Sequence, residues 1–341
     1  MISYDKKINY IFSQWLTISL WMILLMIIVG GLTRLTNSGL SITEWELFSG
    51  ILPPLNNAAW INYFESYKKI PQFNLVNSSM SLEEFKIIFY WEYIHRLLGR
   101  LIGLFFILPL LYFHYIKKID FKTLKPFYLV SLLILFQGVI GWYMVKSGLI
   151  DVVTVSHFRL SLHLFFAFLI ISTIFWLILN NEREKIKSFF DFNNKKSLFL
   201  IFIFLVFVQI TIGAFVSGLD AGRIYQTWPL MGETFFPNDI VIKNFINIFD
   251  LNSHSLVQFY HRIFAYFLTT YFLFLSLYLF IKKEKKLYNS LMIVLAILTV
   301  QIALGIFTLL SGLNIFLASA HQITSVLLVF SSIYLYYSYI K

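Results

Sequence analysis

Apolar residues run along this chain in blocks of about twenty or more, broken alternately by short and by long polar connections. That block length is what an α-helix rising 1.5 Å per residue needs to cross roughly 30 Å of hydrocarbon. Eight membrane-spanning helices are predicted, over about 12–32, 87–115, 124–146, 157–180, 197–217, 257–281, 287–311 and 316–340. Asp5, Lys6 and Lys7 precede the first block and no clear cleavage site follows it, so it is expected to stay as a helix rather than act as a signal peptide.

Composition agrees: the 341 residues are 59% hydrophobic and only 13% charged, where soluble domains carry about a quarter charged residues. The net charge of +10 is a topology signal rather than a nucleic-acid footprint. Sixteen of the 27 Lys and Arg fall at Lys6, Lys7, 117–125, 183–196, 282–286 and Lys341, in alternate connections and at the ends. Only seven fall in the other, longer connections, which places both termini in the cytoplasm by the positive-inside rule.

The chain also reads as a duplication. Shifted by 183, Gly30, Gly39, Trp45, Leu47 and Pro54 meet Gly213, Gly222, Trp228, Leu230 and Pro237. Shifted by 164, Gln137, Gly141, Ser147, Gly148 and Leu149 meet Gln301, Gly305, Ser311, Gly312 and Leu313. His95-Arg96 corresponds to His261-Arg262, and His163 to His321. An even number of helices per copy gives both copies one orientation. The expected architecture is an all-α integral membrane protein of two pseudo-symmetric four-helix bundles, 1–185 and 186–341.

The four repeat-related histidines carry the chemistry. Each lies roughly 5–9 residues inside an apolar block that enters from the outer side, so about 8–13 Å along its helix. Two per bundle at one depth suits a bis-imidazole metal site, such as a porphyrin iron held from both faces. With no cysteine, disulfides, iron–sulfur clusters, thiolate metal sites and covalent haem attachment are excluded. Zinc usually wants three or four close ligands, and no clustered histidines offer them. His114 is read as interfacial, His254 as a loop residue, and His157 as a supporting group or rival ligand to His163.

Glu92, three residues before His95 on the same helix face, breaks the symmetry, because its counterpart is Gln258. A carboxylate within a membrane segment marks an active site or proton path, or else pairs with Arg96 or Arg100. One half would then do acid–base or nucleophilic chemistry while the other holds a redox centre. Arg96, Arg159 and Arg262 either bind porphyrin propionates or snorkel to the interface. The Gln-x-x-x-Gly runs at 137–141, 209–213 and 301–305 permit close approach of helices or of a flat ring, with helix packing the simpler reading. Trp45, Trp60 and Trp228 are assigned to an interfacial belt, and Arg34, Glu44 and Glu46 to a candidate entrance.

The stretch from Gly30 to Trp45 (GGLTRLTNSGLSITEW), with Glu92-Tyr-Ile-His-Arg96, Arg159-Leu-Ser-Leu-His163, Gln258-Phe-Tyr-His-Arg262 and Ala320-His-Gln322, resembles haem A synthase along nearly the whole chain. The resemblance implies oxidation of the C8 methyl of haem O to a formyl group, through successive hydroxylations to a geminal diol that loses water. It implies haem b on His261 and His321, substrate haem between His95 and His163, and an essential Glu92. Some members carry a cysteine pair in an outer loop, so this chain resembles the cysteine-free subclass. The implied setting is the bacterial inner membrane or its equivalent. The implied partners are membrane lipid, haem O synthase, the cytochrome oxidase assembly path and an unidentified electron acceptor. The competing expectations are a b-type electron-transfer cytochrome, which needs haems toward opposite faces, and a haem-delivery or transport protein.

Overall fold

The computed structural model describes residues 6–45, 49–150, 153–181, 188–190, 194–241 and 248–340. All eight predicted spans are helices: α1 (Lys6–Leu35), α4 (Leu82–Tyr115), α5 (Phe121–Gly148), α6 (His157–Asn180), α7 (Asn194–Gly218), α8 (His254–Ile281), α9 (Tyr288–Leu310) and α10 (Ile315–Ile340). Each is long and apolar enough to cross a bilayer, and no strand occurs among the described residues. Their outward faces carry large apolar side chains, such as Trp21, Leu104, Leu132 and Phe274, that water would not tolerate in this number. The chain is a multi-pass membrane protein.

Two further helices lie in the connection between α1 and α4, where the hydrophobic pattern predicts none. These are α2 (Asn57–Tyr67) and α3 (Pro71–Val76). Local chemistry explains them. The Asn56 side chain accepts the Ala59 N–H at 2.8 Å to cap α2, and Pro71 sits at the first position of α3, where its missing N–H costs nothing. Ser81 and Glu84 then form a reciprocal capping box that starts α4 five residues ahead of its apolar run.

Residues 1–186 and 187–341 form two compact units. Within the first, α1 packs on α4 and α6, and α5 on α4 and α6. Within the second, α7 packs on α8 and α10, and α9 on α8 and α10. Away from the histidines the first unit is filled by Phe12, Trp15, Phe106, Phe113 and Phe127, with ring centroids 4.9–5.8 Å apart. At the N-terminal end of α4, α2 packs over its first turns through Trp60, Phe64, Tyr67, Phe85 and Phe89. Trp60 is buried there against the Phe89 ring at 5.0 Å, so it is a packing residue of this cap rather than part of an interfacial belt. Trp45 and Trp228 are half-exposed, and Trp45 lies over the Arg96 guanidinium.

Candidate functional site

One arrangement recurs four times. A glycine on α1, α5, α7 or α9 faces the imidazole on the next spanning helix. A Cβ on Gly30 would lie 3.1 Å from His95, on Gly141 3.1 Å from His163, on Gly213 3.0 Å from His261, and on Gly305 2.9 Å from His321. The separation at Gly305 is shorter than real Cβ contacts show and the other three are tighter than most, so glycine lets each ring sit against the neighbouring helix without displacement. The Gln-x-x-x-Gly runs therefore make room for imidazoles, which helix packing alone does not explain.

The glutamines one turn earlier fasten the same histidines. Gln137 Nε2 donates to the His163 carbonyl at 2.8 Å. Gln209 Nε2 donates to the His261 carbonyl at 3.0 Å and lies 3.2 Å from His261 Nδ1. His321 Nδ1 lies 3.0 Å from the Gln301 carbonyl. A proton on that Nδ1 leaves the Nε2 lone pair for a metal, the usual arrangement around a ligating histidine. On α1 the corresponding residue is Met26, which donates nothing, and His95 turns Nε2 rather than Cε1 toward its glycine.

The C-terminal pair tests whether a bis-ligated porphyrin fits. The His261 and His321 ring centroids are 6.5 Å apart, with planes at 83°. Imidazole–metal bonds of about 2.0–2.1 Å, plus roughly 1.1 Å from nitrogen to ring centre on each side, require about 6.3 Å. The residues fit one metal between two imidazoles. No group of three or more His, Asp or Glu capable of holding an ion occurs among the described residues, which removes the donor set zinc prefers. Replacing Gly305 with alanine should drive the new methyl into His321. An overpacking strain of about 1–3 kcal/mol should weaken metalloporphyrin binding by about fivefold to a hundredfold. The check is the haem-to-protein ratio after purification in detergent; an unchanged ratio would remove the glycine cradle from the argument.

Glu92 is buried on α4, one turn outward of His95, and receives four donors. Oε2 accepts Ser41 Oγ–H at 2.8 Å and the Ile42 N–H at 2.9 Å. Oε1 accepts Arg96 Nε at 3.0 Å and Nη2 at 2.6 Å. The ion pair is almost dry, its side chains 10% and 3% exposed. Arg96 also donates to the carbonyls of Ile42 and Glu44, so it clamps the strap that follows α1. Leu40 anchors that strap against Gly148 of α5, at 3.0 Å from a Cβ built there.

The second unit clamps the equivalent strap through opposite polarity. Gln258 Nε2 and Arg262 Nη2 both donate to the Tyr225 carbonyl, at 2.9 and 3.0 Å, and Tyr225 is the repeat partner of Ile42. Arg262 Nη1 adds a bond to the Leu230 carbonyl at 3.1 Å. Arg159 is tied to α5 through Ser147 Oγ and lies over the Tyr143 ring at 4.7 Å. Hence the three arginines bind their own protein, two of them through main-chain carbonyls that sequence patterns do not reveal.

The remaining candidates are peripheral. His157 opens α6 against Phe158, His254 opens α8 and is exposed, and His114 ends α4 between the rings of Phe121 and Tyr128. Arg34 donates to Asn37 Oδ1 at 3.0 Å, Glu44 contributes its carbonyl to Arg96, and Glu46 lies outside the described residues. Beside Arg96 and Arg100 a small crevice is walled by Tyr63, Phe89 and Tyr93.

Comparison with known proteins follows the same outline. Residues 13–333 match the COX15-CtaA family model, described as cytochrome oxidase assembly protein. A haem A synthase of Pelagibacter ubique is 49% identical over 331 residues, 97% of this chain and 96% of the relative. Haem A synthases of Rickettsia bellii and Rickettsia felis are 43% and 40% identical, each over 95% of this chain and 97% of the relative.

Proposed function

The chain belongs to the COX15-CtaA family, and from that premise we propose that it acts as a haem A synthase, oxidising the C8 methyl of haem O to the formyl group of haem A for cytochrome oxidase. The observation that carries the reading is the difference between two otherwise matched imidazole sites. Each unit supplies two histidines cradled by glycines, but only the first sets a buried carboxylate beside its pair.

In this reading His261 and His321 hold haem b as a resident cofactor. Their ring centroids stand at the spacing that two imidazoles on one iron require, and His321 Nδ1 faces the Gln301 carbonyl. Bound there, haem b supplies one-electron redox chemistry. A doubly ligated iron has no open position, which suits electron transfer rather than substrate binding. His95 and His163 take the substrate, haem O. In the first unit His163 Nδ1 is buried without a hydrogen-bond partner among the described residues. Rings less firmly oriented suit a porphyrin that must leave as product.

Glu92 is the catalytic residue. It lies one turn from His95, where an ionised carboxylate can take a proton as the substrate methyl is oxidised. Arg96 and the strap hold it in orientation. Arg159, whose hydrogen-bond partners among the described residues are hydroxyls of α5, is the arginine best suited to exchange them for a propionate. The charge pattern supports cytoplasmic termini and the bacterial inner membrane, where haem O synthase and the oxidase assembly path would supply and consume the porphyrins. The test is to express the protein beside a haem O source and identify the extracted haems by mass. Haem A and hydroxylated haem O support the proposal; haem O that stays unchanged refutes it.

A further inference from the structure

Four donors on Glu92 leave its carboxylate no spare lone pair, since two carboxylate oxygens offer about four acceptor sites. A group so saturated cannot act on anything else until one donor withdraws. Three of the four cannot do so cheaply. The Ile42 N–H belongs to the strap backbone, and the two Arg96 nitrogens belong to a guanidinium also bound to the Ile42 and Glu44 carbonyls.

Ser41 differs. Its Oγ stands 2.8 Å from Glu92 Oε2 and 3.3 Å from the Ile88 carbonyl, one turn earlier on α4. Both acceptors are in reach of one hydroxyl, so turning the O–H bond alone moves its proton from one to the other. No heavy atom need shift, and the hydroxyl stays hydrogen-bonded at either end. Ser41 is almost fully buried, so water does not offer a competing partner.

The duplication supplies a comparison within the same chain. At the repeat position of Ser41 stands Ile224, which has no hydroxyl, and at that of Glu92 stands Gln258, whose Oε1 is buried with no donor. Hydroxyl and carboxylate occur together in one unit and are missing together from the other.

We propose that Ser41 is a positioning residue for Glu92: its hydroxyl orients the carboxylate through Oε2 and can turn its hydrogen bond to the Ile88 carbonyl when Oε2 takes up another. This rests on the reading that Glu92 is catalytic. The experiment compares Ser41→Ala, Ser41→Thr and Glu92→Gln in the full-length protein, reading kcat and KM for haem O and the bound haem. Ser41→Ala should lower kcat roughly tenfold to hundredfold, the range for losing a hydrogen bond to a charged group, with KM and haem content unchanged. Ser41→Thr, which keeps the hydroxyl, should recover most of kcat. Wild-type kcat in Ser41→Ala overturns the proposal, as does equal loss of kcat and haem in the alanine and threonine variants. If Glu92→Gln stays active, the carboxylate's role fails and the positioning role of Ser41 fails with it. If Glu92→Gln is inactive while Ser41→Ala is not, the positioning role alone fails.

Discussion

Glu92→Ala is expected to end formyl production while the C-terminal haem stays bound. Losing a positioned acid–base group lowers rates by about 100- to 10,000-fold, so haem A should fall below detection in extracted pigment. Alanine also leaves Arg96, the Ser41 hydroxyl and the Ile42 N–H facing an apolar methyl. Removing one partner of a buried ion pair costs about 3–5 kcal/mol, enough to loosen the strap. Glu92→Gln separates the two effects. The second unit carries glutamine at this place already, so the fold accommodates the amide, but an amide cannot take up the proton. Both variants should retain the haem b absorption, and both should accumulate unconverted haem O. Haem A at half the wild-type level in either one would refute the catalytic assignment.

His261→Ala and His321→Ala should act the opposite way round. On the proposed assignment each deletes one of the two imidazoles that would hold haem b, and it leaves a void at the glycine opposite. The resident haem is expected to be lost or to become five-coordinate, seen as loss of its low-spin absorption bands and of protein-bound iron. Because a ligand that binds only the folded state stabilises it by mass action, these variants should also unfold at lower temperature than the parent. His95→Ala and His163→Ala should keep those bands and lose conversion of haem O instead. If all four variants lose haem alike, the two halves do not have separate duties.

Much of this was readable from residues alone, and the reasons differ by feature. The eight spans follow from hydrophobic block length, which the bilayer dictates with little help from tertiary structure. The four imidazoles and the lone carboxylate stand out because such groups are costly among apolar neighbours. The helices α2 and α3 are written in Asn56, Pro71 and the Ser81–Glu84 box, yet polar capping signals are easily lost beside strong apolar runs. Trp60 was assigned to an interface on residue type, whereas its burial depends on how α2 folds back over α4. The clamp was not legible. Its partners are the Ile42 N–H and the carbonyls of Ile42, Glu44 and Tyr225, and main-chain atoms leave no mark on residue identity. Ser41 is visible in the sequence only as one small residue in a glycine- and serine-rich stretch.

If His261 and His321 hold one ferric haem as proposed, the 83° between their rings would have a magnetic consequence. Axial imidazoles in parallel planes split the two iron d orbitals that π-bond with them, giving a ferric spectrum with three well-separated resonances. Crossed planes treat the two orbitals almost alike. The unpaired electron then retains orbital angular momentum, and electron paramagnetic resonance at cryogenic temperature should show one strongly shifted, asymmetric low-field feature.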